Sequence, residues 1–409
     1  MREYENYRDS NVMWLGSIPA HWEVRKIKYT FRERSERGHP NEELLVSSQN
    51  MGVVPKSVYG NRTVIPMKDL HLLKLVEIGD FVISLRSFQG GIEYAYYRGI
   101  ISPAYTIMVN NGSIQSSYFK YLAKSQDFID LLKICVTGIR EGQNIDYRKL
   151  RNHYIPVPPK DEQDQIARFL DWKITAIDKL ISIRREELRN LADLRKALIT
   201  REVTRGNWER VKIKRLFKIF SGATPDSYNP DYWDGNIIWI TPADFQTKDK
   251  YIYHGAKYIT ESGFRSCSTS LVPSGSIIFT KRAPVGKVAI SRAELCTNQG
   301  CLSCVPLEGV VPEYFYYVMS ICTQDFESLS AGATFKEISL STFRNFPLPC
   351  PPITEQKRIA NYLDRICTRI DSAITNFTQQ IDTLKELKAR LISDTVTGKI
   401  DVRNITIPK

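Results

Sequence analysis

A chain of 409 residues with 57 Lys and Arg against 45 Asp and Glu carries a formal net charge of +12 and a pI near 9.2. That balance favours a polyanionic partner, nucleic acid first and an anionic membrane surface second. There is no run of about 18 apolar residues to span a bilayer, and the charged start Met1-Arg2-Glu3-Tyr4 lacks the apolar core of a secretory signal.

In chain order, the first patterned stretch is Trp22-Glu23-Val24-Arg25-Lys26-Ile27-Lys28 with Phe31. Short β-rich runs at 79–85 and 101–109 lie among Gly, Pro and Asn turns, and a helix is predicted at 117–134. Pro158 and Pro159 disfavour helix up to 159, and Asp161 is suited to be the N-cap of a long helix. Apolar residues then recur at spacings of three and four to near Val203, with Gly206 as a stop. A second series opens at Trp208-Glu209-Arg210-Val211-Lys212-Ile213-Lys214 with Phe217, gives β-rich runs at 237–240 and 276–280, and predicts a helix at 312–328. After Pro351 and Pro352, Thr354 is the matching N-cap of a periodic stretch that reaches Val396 and stops at Gly398. About forty residues at ~1.5 Å each make each long helix a rod of ~60 Å.

The two series are one unit written twice. Pro156-Val157-Pro158-Pro159-Lys160-Asp161-Glu162-Gln163 returns 193 residues later as Pro349-Cys350-Pro351-Pro352-Ile353-Thr354-Glu355-Gln356. At that spacing Leu170, Ile177, Leu191 and Leu198 map onto Leu363, Ile370, Leu384 and Leu391, while Ala167, Ile174, Ile181 and Leu188 map onto Ala360, Cys367, Ile374 and Ile381. Both sets are heptads. The one break sets Arg184 against Phe377, where the Arg stem can cover the stripe while its head reaches water. Rods of that length need partners, and duplication makes the economical solution an antiparallel pair under pseudo-two-fold symmetry. The expected pairing core is Leu170, Ile174, Ile177, Ile181, Leu188 and Leu191 against Leu363, Ile370, Ile374, Phe377, Ile381 and Leu384. Arg195 and Lys388 continue the series as cations near helix C-termini, where the dipole favours them. The fold class is α+β, with two tandem globular domains (1–155 and 206–348) separated by two helical regions (156–205, and 349–409 with the tail) packed as an antiparallel coiled coil.

Loops beside the strands carry groups suited to bases and phosphates. They are Arg86, Gln89, Arg140, Gln143 and Asn144 in the first domain, and Lys281, Arg282, Lys287, Asn298, Gln299, Thr334 and Lys336 in the second. Arg can read guanine, Asn and Gln adenine, and Lys neutralises phosphate. They cluster near Gly90, Gly91, Gly300 and Gly332, where backbone can approach a ligand closely.

Catalytic motifs are missing. There is no Asn/Asp-Pro-Pro-aromatic sequence for amino-methylation, Asn229-Pro230-Asp231-Tyr232 lacking the second proline, and no glycine-rich methyl-donor loop or P-loop. Eight scattered cysteines read as reduced cytosolic thiols; Cys301-Leu302-Ser303-Cys304 is half a zinc site with no second half. No metal and no catalytic residue is therefore expected.

These residues also carry a family resemblance. Tyr7-Arg8-Asp9-Ser10 with Trp14 to Trp22, the doubled Pro-Pro-x-x-Glu-Gln entrance, Ser221-Gly222-Ala223-Thr224-Pro225 followed by 232–240, Thr297-Asn298-Gln299-Gly300 and 332–339 resemble specificity subunits of type I restriction-modification enzymes. The resemblance covers essentially the whole chain. It implies a non-catalytic cytoplasmic subunit whose two target recognition domains each read one half of a bipartite site on double-stranded DNA. It further implies helices that act as spacers and dock two modification (methyltransferase) subunits, with restriction subunits added for cleavage. This chain would bind no cofactor: S-adenosylmethionine belongs to the modification subunits, ATP and Mg to the restriction subunits. The first domain departs from the pattern at 137–143, where Thr137-Gly138-Ile139-Arg140-Glu141-Gly142-Gln143 replaces a Gly-Ala-Thr-Phe-Lys-Glu sequence. The alternative is a freestanding DNA-binding regulatory or architectural protein dimerised through its helices, which co-purification with a methyltransferase would separate. A coiled-coil scaffold without DNA contacts is a third reading, tested by the salt dependence of DNA binding.

Overall fold

The structure, a computed structural model, describes residues 2–60, 69–137, 144–246, 249–282, 284–330 and 336–408. It divides into two units, Met1–Arg185 with Gln379–Lys409, and Glu186–Thr378. Each joins β-sheets to parts of both long helices.

The same strands recur in the same order. In the first unit Phe31–Arg34, Thr106–Asn110, Phe81–Ile83 and Glu93–Tyr94 lie side by side, all antiparallel. In the second, Phe217–Ser221, Cys301–Pro306, Ile277–Thr280 and Val288–Ser291 repeat that order, and Tyr251–Ile252 adds a fifth, parallel strand. The Trp-Glu segments form edge pairs, Glu23–Lys26 with Tyr154–Val157 and Arg210–Lys212 with Pro347–Pro349. Strand alternation turns one sheet face onto aromatic cores: the Phe31 and Phe119 centroids are 4.5 Å apart in the first unit, and those of Phe279 and Phe343 4.4 Å in the second.

The expected helix at 117–134 is two, Ser116–Leu122 and Gln126–Ile134, and that at 312–328 is Pro312–Ile321 and Thr323–Ser328. In the first case the break is at Ser125, whose Oγ donates to the Leu122 carbonyl at 2.8 Å and competes with the helical ladder.

The long helices span Lys160–Thr204 and Ile353–Val396. Each begins directly after its second proline, so Asp161 and Thr354 lie inside the first turn instead of capping it. Antiparallel pairing appears within each unit. In the second, Ile199 and Val203 from the end of one helix share a core with Ile359, Ala360, Leu363 and Cys367 from the start of the other. Of the expected pairing residues, Leu170, Ile174, Ile177, Ile181, Leu363, Ile370 and Ile381 are buried, and Leu188, Leu191, Ile374, Phe377 and Leu384 are half-buried. Lys388 bonds Asp178 at 2.7 Å and Arg195 forms an ion pair with Asp371 at 3.0 Å, each pair joining the two helices at repeat-equivalent positions. These cations are held by aspartates and not by the helix dipole, which acts only within the last turn.

The Gln of each Pro-Pro-x-x-Glu-Gln motif explains its repetition. Gln163 donates to the Pro158 carbonyl at 2.7 Å and accepts from the Gln115 amide at 2.7 Å; Gln356 donates to the Pro351 carbonyl at 2.8 Å and accepts from the Val311 amide at 2.9 Å. Both are buried, and both fasten the loop before the short helix to the long-helix entrance. Asp171 then accepts from the Tyr121 hydroxyl at 2.5 Å and Asp364 from the Tyr317 hydroxyl at 2.6 Å.

Candidate nucleic-acid interface

In the first unit Arg86 and Gln89 are exposed around the short helix Ser87–Gly90, which follows the Phe81–Ile83 strand and packs against Asn144 and Ile145. Lys124 fixes this segment, donating to the Gly90 carbonyl at 2.8 Å, to the Gln49 carbonyl at 3.3 Å and to the Glu93 carboxylate at 2.5 Å. Burial lowers the pKa of its ammonium, although Glu93 opposes the shift, so this lysine serves the frame. Asn144 is half-buried and its Oδ1 accepts the Ile145 amide at 2.8 Å. Arg86, Gln89 and Asn144 thus share one edge, while Arg140 and Gln143 lie outside the described residues.

In the second unit three chain segments converge. The Lys281 amide donates to the Gly300 carbonyl at 2.9 Å, and the Ile338 amide to the Lys281 carbonyl at 3.0 Å, with Arg282 and Glu337 opposed as a β-bridge. Residues in register across such a bridge present their side chains to the same face. Arg282 Nε bonds Glu337 Oε2 at 2.8 Å and Lys281 Nζ bonds Glu337 Oε1 at 3.1 Å. Partial burial raises the Glu337 pKa, but bonds from Arg282 and Lys281 and their charges outweigh it and hold the carboxyl below its ordinary range.

The loop after the Phe217–Ser221 strand joins this edge. The Ala223 amide donates to the Thr297 carbonyl at 3.0 Å, and the Thr224 hydroxyl donates to Gln299 Oε1. Gln299 and Lys336 are exposed. Asn298 is a turn former, its Oδ1 accepting the Gly300 amide at 2.9 Å, and Lys287 is committed to the Phe245 carbonyl at 2.9 Å. Thr334 lies outside the described residues. Arg282, Gln299 and Lys336 are thus the exposed members of this edge, with the Lys281 side chain, 13% exposed, behind them on Glu337.

Two of the glycines are also required by the fold itself. A Cβ on Gly91, where φ is +85°, would stand 2.2 Å from the Ala123 carbonyl oxygen, and one on Gly300 would stand 2.8 Å from Pro242. Crowding by the protein's own atoms accounts for both. Gly332 is outside the described residues.

Glu337 and Thr224 were not singled out as site residues by sequence reasoning. Each stood in a motif that was, beside Lys336 and within Ser221 to Pro225, but pairing across a bridge is invisible in a linear chain. Among the described residues no group of three or more His, Cys, Asp and Glu is placed to hold a metal ion, and no helix is long and apolar enough to cross a membrane.

The type I restriction modification DNA specificity domain matches twice, over residues 21–190 and 205–385. The chain belongs to that family. The specificity subunit of the type I restriction enzyme MjaIX of Methanocaldococcus jannaschii is 36% identical over 46% of this chain and 43% of its own length. The putative MjaX specificity subunit of the same organism is 25% identical over 98% of this chain and 97% of its own. A solved chain from a type I R-M system shares the fold with a TM-score of 0.75 at 17% identity, covering 94% of this chain and 99% of the other. The family's DNA-specificity role stands against the freestanding regulator, which these comparisons do not favour.

Proposed function

We propose that this chain is the non-catalytic DNA-specificity subunit of a type I restriction-modification enzyme, its two domains reading the two halves of a bipartite asymmetric site. The domain at 1–155 reads one half-site through the edge carrying Arg86, Gln89 and Asn144, and the domain at 206–348 reads the other through Lys281, Arg282, Gln299 and Lys336. The observation that carries the reading is one repeated frame with two unlike edges. Gln163 and Gln356 make the same bonds, whereas Leu85, Arg86 and Asn144 stand where the second unit has Lys281, Arg282 and Glu337. Same frame and different loops is what two readers of different sequences require. The +12 charge supports a DNA partner.

The paired helices act as spacers and as the docking surface for two modification subunits in the cytoplasm. Those subunits extrude and methylate adenine with S-adenosylmethionine, and restriction subunits with ATP and Mg add cleavage. This chain decides where the complex sits.

Reconstitution tests the reading. The purified chain transfers no methyl group to DNA, and added modification subunits methylate adenine at one bipartite sequence only when this chain is present. Methyl transfer by the isolated chain, or methylation indifferent to its presence, overturns it.

A further inference from the structure

Arg282 and Glu337 form a pair whose exposure makes a purely structural role inadequate. Their side chains are 46% and 34% exposed, and ion pairs this open to water contribute little to stability. The backbone at both positions is already fixed by the β-bridge and by the Ile338 and Lys281 amide bonds. What the side-chain bond adds is orientation. Glu337 takes Nε of the guanidinium, and among the described residues no other hydrogen bond is made by that group. The two terminal nitrogens remain, a planar fork of parallel N–H donors. Lys281 holds the other carboxylate oxygen, so two cations surround one anion.

We infer that Glu337 is a positioning residue that fixes Arg282 to present its terminal fork to a guanine, as the specificity-determining contact for one G·C pair in the second half-site. The inference rests on the DNA-specificity reading and adds a base and a mechanism to it. Guanine offers two acceptors, O6 and N7, on its major-groove edge, and a guanidinium bonds both only when its plane and direction are set. A free arginine is equally able to turn to phosphate; one held at Nε is turned to the base. The first unit supplies the contrast. Arg86 is the equivalent of Arg282, but Asn144 replaces the glutamate and Leu85 the lysine, and among the described residues Arg86 has no carboxylate partner. The device belongs to one half-site.

A carboxylate beside a polyanion lowers affinity, so affinity and specificity separate in the test. The full chain, assembled with its modification subunits, is titrated with duplexes in which each base pair of the site mapped for the wild type is replaced in turn. Arg282→Ala loses about 5- to 150-fold of preference at one G·C pair. Glu337→Ala loses at least about threefold at that same pair and binds random-sequence duplex more tightly than the wild type, because a negative charge is gone. Glu337→Gln, which keeps an oxygen able to accept from Nε, is intermediate. The double variant is no worse than Arg282→Ala, as expected of a residue acting through another. Undiminished preference at that pair in Glu337→Ala, additive losses in the double variant, or losses spread over both half-sites overturns the inference. Should Glu337→Ala fail to fold, Glu337→Gln alone decides: unchanged preference refutes. A wild-type complex without bipartite preference would sink the specificity reading itself, whereas silent variants on a bipartite background sink only the role of Glu337.

Discussion

Two copies of one motif place the same residue in unlike surroundings, and replacing it in each separates environment from sequence. Glu162 is buried, its side chain 5% exposed, and its carboxylate receives the Tyr4 hydroxyl, the Trp22 indole at 3.0 Å and the His21 ring at 2.8 Å. Burial, reinforced by Glu162, pushes the Tyr4 hydroxyl far above its usual range, so it remains a donor at any ordinary pH. Glu355, the repeat equivalent, is bound one turn away by the half-exposed Arg358 at 2.8 and 2.7 Å. Glu162→Ala strands two buried donors, Tyr4 and Trp22, at ~1–3 kcal/mol each, a loss of about 4 kcal/mol. For domains of this size that is a drop of about 10 °C in Tm. Glu355→Ala removes a surface ion pair of about 0.5 kcal/mol, a shift of about 1 °C. Calorimetry of the full-length variants reads both. Equal shifts would refute the assignment of Glu162 as the buried hub of the first unit alone.

The helix ion pairs are tested by charge exchange: Asp178→Lys costs about 1 kcal/mol by urea unfolding, and adding Lys388→Asp restores it to within about 0.5 kcal/mol, whereas a double variant no better than the single would deny the 2.7 Å pairing. Burial pushes the Cys296 thiol up to about 12 and those of Cys301 and Cys304 further, so all three are protonated and unreactive at neutral pH. A thiol-counting reagent should reach them only after denaturation, and rapid native labelling would contradict their place in the sheet.

The long helices were legible because period and duplication repeat the same signal over many residues. Their first turns begin two positions before the start that Asp161 and Thr354 as caps imply, because the chain turns helical directly after the second proline. Gln163 and Gln356 were visible as repeated letters, but their partners are backbone groups of Gln115 and Val311, to which no side-chain pattern points. Arg195 and Lys388 were placed correctly on the stripe and given the wrong partner, because the dipole is a local argument and Asp371 and Asp178 come from the other helix. At the candidate interface Arg282 was named and Glu337 was not: a carboxylate looks wrong for DNA until it is seen holding a guanidinium.

The repeated anchors of the frame and the exposed pairs at the second unit's edge differ in the kind of bond that holds them. Part of the frame is held from side chain to backbone: Gln163 to the Pro158 carbonyl, Tyr118 to the Val396 carbonyl at 2.9 Å, Tyr314 to the Pro349 carbonyl at 3.2 Å. Such contacts survive replacement of the residue that supplies the carbonyl. Edge contacts run from side chain to side chain, Arg282 to Glu337 and Thr224 to Gln299. A single replacement there leaves a partner exposed with its charge or polarity intact. Removing Arg282 alone leaves Lys281 as the remaining counter-charge seen on the Glu337 carboxylate, and removing Glu337 alone frees the guanidinium. On the proposed reading, changing what the second domain reads therefore takes coordinated substitutions of Arg282, Glu337 and Lys281.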